Sequence, residues 1–199
     1  MKSHTKVVII GGGIMGVSLL YHLTKEGWTD IVLIEKGELT SGSTWHAAGQ
    51  CPHFVGSYNA AKIHNYSNRL YQDLEKETGQ STGWHGCGSL RLALKEEDIN
   101  WFHYVKGILD NVGSPAEFVT KEKILDLHPF LKIEDVLCAL HTPEDGHTDP
   151  TSTTNAMAIA ARKAGAEIYR HNRVLEINKL SSGEWEIITE KGKILCEHV

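Results

Sequence analysis

Apolar residues recur in two rhythms along this chain of 199 residues. Residues 6–10 are a short β-branched run, the pattern of a buried parallel strand. Gly11, Gly12 and Gly13 turn the chain. Val17, Leu20 and Tyr21 then fall at helical spacing, predicting a helix over residues 14–25 that Gly27 ends. Residues 31–34 are a second apolar strand, which completes one strand–helix–strand unit with its glycines in the first turn. Residues 37–58 lose the periodicity and are rich in small side chains, so they predict a loop with one helical turn. A gap of that length in a compact domain is usually functional.

Further on, Ile63, Tyr66, Leu70 and Leu74 predict an amphipathic helix that Gly79 terminates. Residues 89–94 alternate as a strand. Ile99, Phe102, Val105, Leu109 and Val112 predict another helix, and residues 120–127 a short capped one stopped by Pro129. Asp149-Pro150 is a strong helix start, an N-cap acceptor followed by proline at the first helical position. The Ala-rich helix it opens runs to Ala164, with Gly165 after it. Strand candidates at 168–169, 173–177, 184–190 and 194–196 close the chain, the last three as a small antiparallel meander. The fold class is α/β: a Rossmann-like nucleotide-binding domain with an inserted, partly antiparallel substrate domain. The expected division is 1–80, 81–145 and 146–199, the first and last segments forming one domain.

Composition changes this picture little. Hydrophobic content is 41% and net charge −5. That balance lacks the basic footprint of a nucleic-acid binder. No apolar run is long enough for a membrane span. Cys51, Cys87, Cys138 and Cys196 are scattered without a CxxC pair, which suits reduced thiols in a cytoplasmic enzyme. The start enters a strand directly, leaving no room for a targeting peptide, and the end falls inside a strand, as in a fragment of a longer protein.

The chemistry starts at Gly11, Gly13 and Gly16, which fit G-x-G-x-x-G. The first glycine allows the tight turn, the second lets the backbone approach a pyrophosphate, and the third lets helix and strand pack closely. The helix N-terminus supplies free N–H groups and a positive dipole end. Glu35 ends the second strand, 19 residues after Gly16. A carboxylate there accepts from ribose hydroxyls and repels a 2′-phosphate, favouring FAD or NAD over NADP. Gly42, Ser43 and Thr44 then offer small residues with polar donors, and Ala47, Ala48 and Gly49 let a flat ring lie against backbone. His46 sits between them. Its imidazole has the chemistry of a base, a ligand or a nucleophile, and equally of a packed, hydrogen-bonded histidine.

The stretches GGGIMGVSLLYHL and IEKGELTSGSTWHAAG, with DGHTDP at 145–150, resemble the FAD-dependent amine oxidoreductases of the dimethylglycine and sarcosine dehydrogenase group. The resemblance runs along essentially the whole chain, and STWHAAG is its most specific part. It implies FAD held covalently by His46 through the 8α position of the isoalloxazine ring. It further implies that the loop from Gly42 through Trp45 to Gln50 wraps the pyrophosphate and ribityl chain. By the same resemblance Glu35 and Lys36 contact ribose, Ile14 and Met15 belong to the phosphate loop, and the Val174 backbone meets adenine. The implied reaction is oxidation of an N-methyl amine, such as dimethylglycine or sarcosine, by hydride transfer to flavin. The resulting iminium is hydrolysed to formaldehyde or captured by tetrahydrofolate on a C-terminal domain outside this chain. Substrate-gripping residues are expected beyond Val199, so no catalytic acid or base is named. The amine, the electron acceptor and the oligomeric state stay open.

Two other functional classes remain. A relative of this fold is a regulatory subunit of the pyruvate dehydrogenase phosphatase, which would make the chain a binding protein; a plain NAD-binding domain is the third reading. Cys51-Pro-His53 and His85-Gly-Cys87 could together offer four zinc-type ligands, but the spacing within each pair is too short for a zinc knuckle, and no metal site is expected. Asp145, His147 and Asp149 read as a loop plus helix cap. Trp84 and residues 89–92 suit either a pocket wall or an ordinary core. Arg162, Lys163, Arg170 and Arg173 read as a solvated basic face. Nothing resembles a Ser-His-Asp or Cys-His hydrolase.

Overall fold

The structure is a computed structural model that describes all residues, Met1–Val199. The elements in chain order are β1 (His4–Ile10), α1 (Ile14–Lys25), β2 (Ile31–Ile34), a 3-10 turn (Ser43–His46), β3 (Gln50–Cys51), α2 (Tyr58–Thr78), β4 (Ser89–Ala93) and α3 (Glu96–Val112). They continue with β5 (Glu117–Val119), α4 (Lys121–Leu127), β6 (Cys138–Thr142), β7 (Gly146–His147) and α5 (Pro150–Lys163), and end with β8 (Glu167–Tyr169), β9 (Val174–Lys179), β10 (Trp185–Thr189) and β11 (Gly192–His198). The chain divides into two compact units: residues 1–48, 74–82 and 149–199, and residues 49–73 and 83–148. Residues 49–73 thus cluster with the second unit, whereas the sequence reading placed them in the first domain.

The first unit is a six-stranded sheet in the order β8-β2-β1-β11-β10-β9. β8, β2, β1 and β11 run parallel, and β11, β10 and β9 form the antiparallel meander. All four residues of β2 are buried, as a central parallel strand requires. Val8, Val32, Ile34, Ile187, Ile194 and Cys196 form one core cluster of this sheet. α1 buries Val17, Leu20 and Tyr21 on one face and packs on α5, β1 and β2. Each such burial stabilises by about 1.5–3 kcal/mol, which outweighs the roughly 1 kcal/mol that Gly16 costs inside the helix. Tyr21 Oη donates to Glu77 at 2.9 Å, and burial together with that carboxylate pushes its phenol up to about 12. Asp149 caps α5 as expected, its carboxylate accepting from Ser152 N at 2.6 Å ahead of Pro150.

The second unit holds a three-stranded antiparallel sheet, β4-β6-β5, and the two-stranded pair β3-β7. β5, β6 and β7 have too few residues of clean alternation to stand out in sequence, and only β4 was expected. α3 buries Phe102, Val105 and Leu109, as its spacing predicts, and ends at Gly113 in the left-handed region. α2 has the expected helical period, but its predicted apolar residues divide between an inward and an outward face. Ile63 and Tyr66 are 65% and 54% exposed, while Ala61, Asn65 and Asn68 are buried. The hydrophobic spacing identified the helix and its fully buried Leu74, but missed the two inward asparagines, which bind backbone. Asn65 Nδ2 donates to Val112 O at 2.9 Å, and Asn68 Nδ2 to Cys51 O at 2.9 Å.

Candidate functional site

At the C-terminal end of β1, Gly11 takes a φ of +108°, a turn that disfavours any side chain. Gly13 is the N-cap of α1 and brings no side-chain acceptor with it. A Cβ on Gly16 would lie 2.0 Å from the Gly11 carbonyl oxygen, so only glycine lets the first turn of α1 close over the loop. Gly11 and Gly16 therefore meet the steric demands that their spacing predicts, a tight turn and a close helix–loop approach.

Glu35, buried at the end of β2, fixes this loop from below. Its Oε2 accepts from Gly12 N at 2.6 Å and its Oε1 from Gly37 N at 2.7 Å. Each carboxylate oxygen keeps a further lone pair for a ribose hydroxyl. Lys36 beside it is exposed. A second segment closes over the helix start. Thr44, buried in the 3-10 turn, accepts from Ile14 N through Oγ1 at 3.0 Å, and Thr40 N donates to Gly12 O at 2.9 Å. Ile14 is thereby satisfied. The N–H groups of Met15 and Gly16, in the same first turn, are the ones that an α-helix leaves without an internal partner. No acidic residue stands in that turn, and His22 and Lys25 occupy the last turn of α1. The dipole thus stays positive at the loop, the arrangement that accepts a phosphate.

Around this rim the surface is apolar where a soluble helix start would be polar. Met15 is 82% exposed, Trp45 58% and Leu19 50%. Gly42, Ser43, His46, Ala47 and Ala48 are exposed alongside, with the Trp45 and His46 rings 3.9 Å apart between centroids. Val174, half-buried, opens β9, and Asn172 N, just before it, donates to Glu35 O at 3.0 Å. Donor set, close backbone approach and apolar rim all fit a dinucleotide carrying a flat ring. Gly49 and Gln50 continue the loop into β3, where Gln50 pairs with His147.

The second unit contains a polar centre that sequence reasoning missed. Asp145 is 1% exposed and was read as part of a loop. Its Oδ1 accepts from both His53 N and His53 Nδ1 at 2.7 Å. Its Oδ2 accepts from Thr142 Oγ1 at 2.6 Å and from Ser89 Oγ. Burial opposes the charge, but the hydrogen bonds from His53, Ser89 and Thr142 hold the carboxyl below the usual carboxylate range. The only sequence signal was an acidic residue five positions ahead of a proline-started helix, and that does not reveal its partners. Cys51, in the adjoining β3, has its thiol pushed up to about 11 by burial and then by Asp145. The metal-type side chains that come within reach of one another are His85, Cys87 and His147, without Cys51 or His53. Trp84 lies over Gly146 rather than in a general core, its ring 2.8 Å from where a Cβ would sit. The basic residues at 162–173 are partly engaged: Arg170 pairs with Glu38, and Lys163 Nζ donates to Thr78 O at 3.1 Å.

No helix is long and apolar enough to cross a membrane. Dimethylglycine dehydrogenase, mitochondrial, of Rattus norvegicus is 42% identical over all of this chain and 23% of its own length. The mitochondrial pyruvate dehydrogenase phosphatase regulatory subunit of Mus musculus is 38% identical, again over the whole chain and 23% of the relative. The chain thus spans about a quarter of the length of these relatives. Among solved structures, L-proline dehydrogenase from P. horikoshii superposes with a TM-score of 0.91 at 27% identity, covering 100% of this chain and 53% of that one. A family profile described as DAO, FAD dependent oxidoreductase, matches residues 6–199. The chain belongs to the FAD-dependent oxidoreductase family.

Proposed function

We propose that this chain is the cofactor-holding part of an FAD-dependent oxidoreductase that oxidises an N-methyl amine of the dimethylglycine or sarcosine kind. One observation carries the reading: the glycine loop, the buried Glu35 and the start of α1, with an exposed apolar rim at Met15 and Trp45, together form a cradle for a dinucleotide with a flat ring. FAD, when bound, supplies the hydride acceptor for the amine carbon. The chain's own residues do the rest. Gly11, Gly13 and the first turn of α1 seat the pyrophosphate, Glu35 and Lys36 orient the ribose, and the Val174 backbone borders the adenine. The loop Gly42–Gln50 runs along the ribityl chain and brings His46 to the ring, where we assign it the covalent attachment. Residues 1–80 and 146–199 are assigned to the FAD domain in this reading and 81–145 to the substrate domain. Capture of the released one-carbon unit by tetrahydrofolate is assigned to residues outside these 199.

The test uses the purified full-length protein. An enzyme of this class is yellow and is bleached under anaerobic conditions by an N-methylated glycine. A colourless protein, or a flavin that no such amine reduces, favours the regulatory reading, which the similarity to a phosphatase regulatory subunit supports. The attachment at His46 has its own readout. After acid precipitation, flavin fluorescence should stay with the peptide containing His46 and vanish in His46→Ala. Flavin recovered wholly in the supernatant of the unaltered protein defeats the covalent assignment. We also propose a cytoplasmic location on the strength of four free cysteines; cell fractionation that places the protein in mitochondria, the compartment in the relatives' names, overturns it.

A further inference from the structure

His85, Cys87 and His147 lie together in the second unit and take no part in the site above. The backbone holds them there. His85 N donates to His147 O at 2.8 Å, His147 N donates to His85 O at 3.0 Å, and Cys87 N donates to His85 O at 3.2 Å. This two-way bridge is closer than side chains would normally allow. A Cβ on Gly146 would meet His85 O at 2.5 Å and the Trp84 ring at 2.8 Å, so glycine at that position is what lets the two segments meet. Gly88, with φ +69°, then turns the chain away behind Cys87.

The result is two imidazoles and a thiol, all exposed, with one ligand atom from each within 4.8 Å of the others. The two imidazole rings stand 5.3 Å apart at 42°. The backbone bridge brings the three side chains together, and no hydrogen bond or ion pair inside the chain occupies their ligand atoms. A tetrahedral ion with bonds of about 2.0–2.3 Å sets its donors about 3.3–3.8 Å apart. Closing the remaining ~1 Å takes only small side-chain rotations, which exposed groups make freely. Nitrogen and sulfur donors without a carboxylate select a borderline ion such as Zn²⁺ over Ca²⁺ or Mg²⁺.

We propose that His85, Cys87 and His147 form a three-ligand site for Zn²⁺, with the fourth position open to water. The site differs from the four-residue set suggested by the sequence: Cys51 and His53 are excluded, and His147 replaces them. The open position makes it a site of exchangeable ligation rather than a closed structural one.

The experiment loads chelator-stripped full-length protein with Zn²⁺ near neutral pH and then desalts it. One equivalent should remain, and X-ray absorption at the zinc edge should show one sulfur at about 2.3 Å and two imidazole nitrogens at about 2.0–2.1 Å. Cys87→Ser should lose the sulfur and the retained ion, and His147→Ala should lose the ion. Both variants should melt like the parent protein when chelator is present, since all three side chains are exposed. Added Zn²⁺ should raise the melting temperature of the parent only. Loss of the ion from the parent on desalting, an oxygen-only shell, or a sulfur that persists in Cys87→Ser overturns the proposal. A colourless protein that keeps its zinc would sink the oxidoreductase reading and leave this one standing.

Discussion

The phosphate-loop edge of the first unit and the buried carboxylate of the second are both polar centres, and they are made of opposite materials. The first is mostly backbone: a glycine turn, helix N–H groups and a carboxylate that braces them, all but Thr40 and Thr44 drawn from residues 11–37. The second is mostly side chains: His53, Ser89 and Thr142, from three separate segments, meet on the one carboxylate of Asp145. A backbone-built site tolerates changes of side chain but not the addition of a Cβ. A side-chain-built anchor fails when a single donor or acceptor is lost. That contrast gives each region its own way of breaking.

The largest effect is expected at Asp145. Asp145→Asn leaves His53 and two hydroxyls facing an amide instead of a charge; each hydrogen bond to a charged group is worth about 1.5–3 kcal/mol, so weakening two or more of them costs about 3–5 kcal/mol. Urea unfolding at neutral pH measures it. The pH dependence follows from the direction of the shift. The folded carboxyl titrates below its unfolded value of 3.8, so its stabilisation is complete above that value and is lost as pH falls through the lower, folded one. The gap between the parent protein and Asp145→Asn should hold steady from neutral pH down to about 5 and narrow below about 4. A gap that stays constant through acid would show that the charge of Asp145 contributes nothing.

This contrast also explains what the sequence could and could not reveal. The cofactor loop was legible because its signals are local: Gly11, Gly13 and Gly16 lie within one turn, and Glu35 is tied to them by the length of a single strand–helix–strand unit. The two asparagines on the inward side of α2 were not legible. Asn65 and Asn68 look like solvent residues until Val112 O and Cys51 O are placed beside them, and those partners lie 47 and 17 residues away in the chain. Asp145 stayed hidden for the same reason, with His53 92 residues distant. His85 and Cys87 drew notice as metal-type residues, but their third partner, His147, is supplied by a backbone bridge that no periodicity announces.

Next in size is Gly16→Ala. Its added methyl meets the Gly11 carbonyl, and overpacking of that kind costs about 1–3 kcal/mol. Because the strained contact lies in the proposed phosphate cradle, the loss should appear in cofactor loading, the non-covalent affinity for FAD before attachment falling by about 10–100-fold. The flavin-to-protein ratio of the purified variant checks this. If Asp145→Asn loses flavin as completely as Gly16→Ala while unfolding no more easily than the parent, the distinction between the two centres is wrong.

The smallest effect tests the one place where the backbone-built site leans on a distant side chain. Thr44 Oγ1 caps α1 at Ile14 N from 30 residues away and lies 3.0 Å from where a Cβ on Gly13 would sit. Thr44→Val keeps the shape and removes the acceptor. Loss of a helix cap costs about 1 kcal/mol, and here it adds a third free N–H to the first turn of α1. In the protein without cofactor that is a simple destabilisation. With FAD bound, the pyrophosphate competes for the same donors, so part of the lost cap is recovered. Thr44→Val should therefore cost less in the flavin-loaded protein than in the flavin-free one, as measured by urea unfolding of both forms. Equal costs in the two forms would mean that the phosphate does not reach the first turn of α1, and the placement of the cofactor over that turn would have to be abandoned.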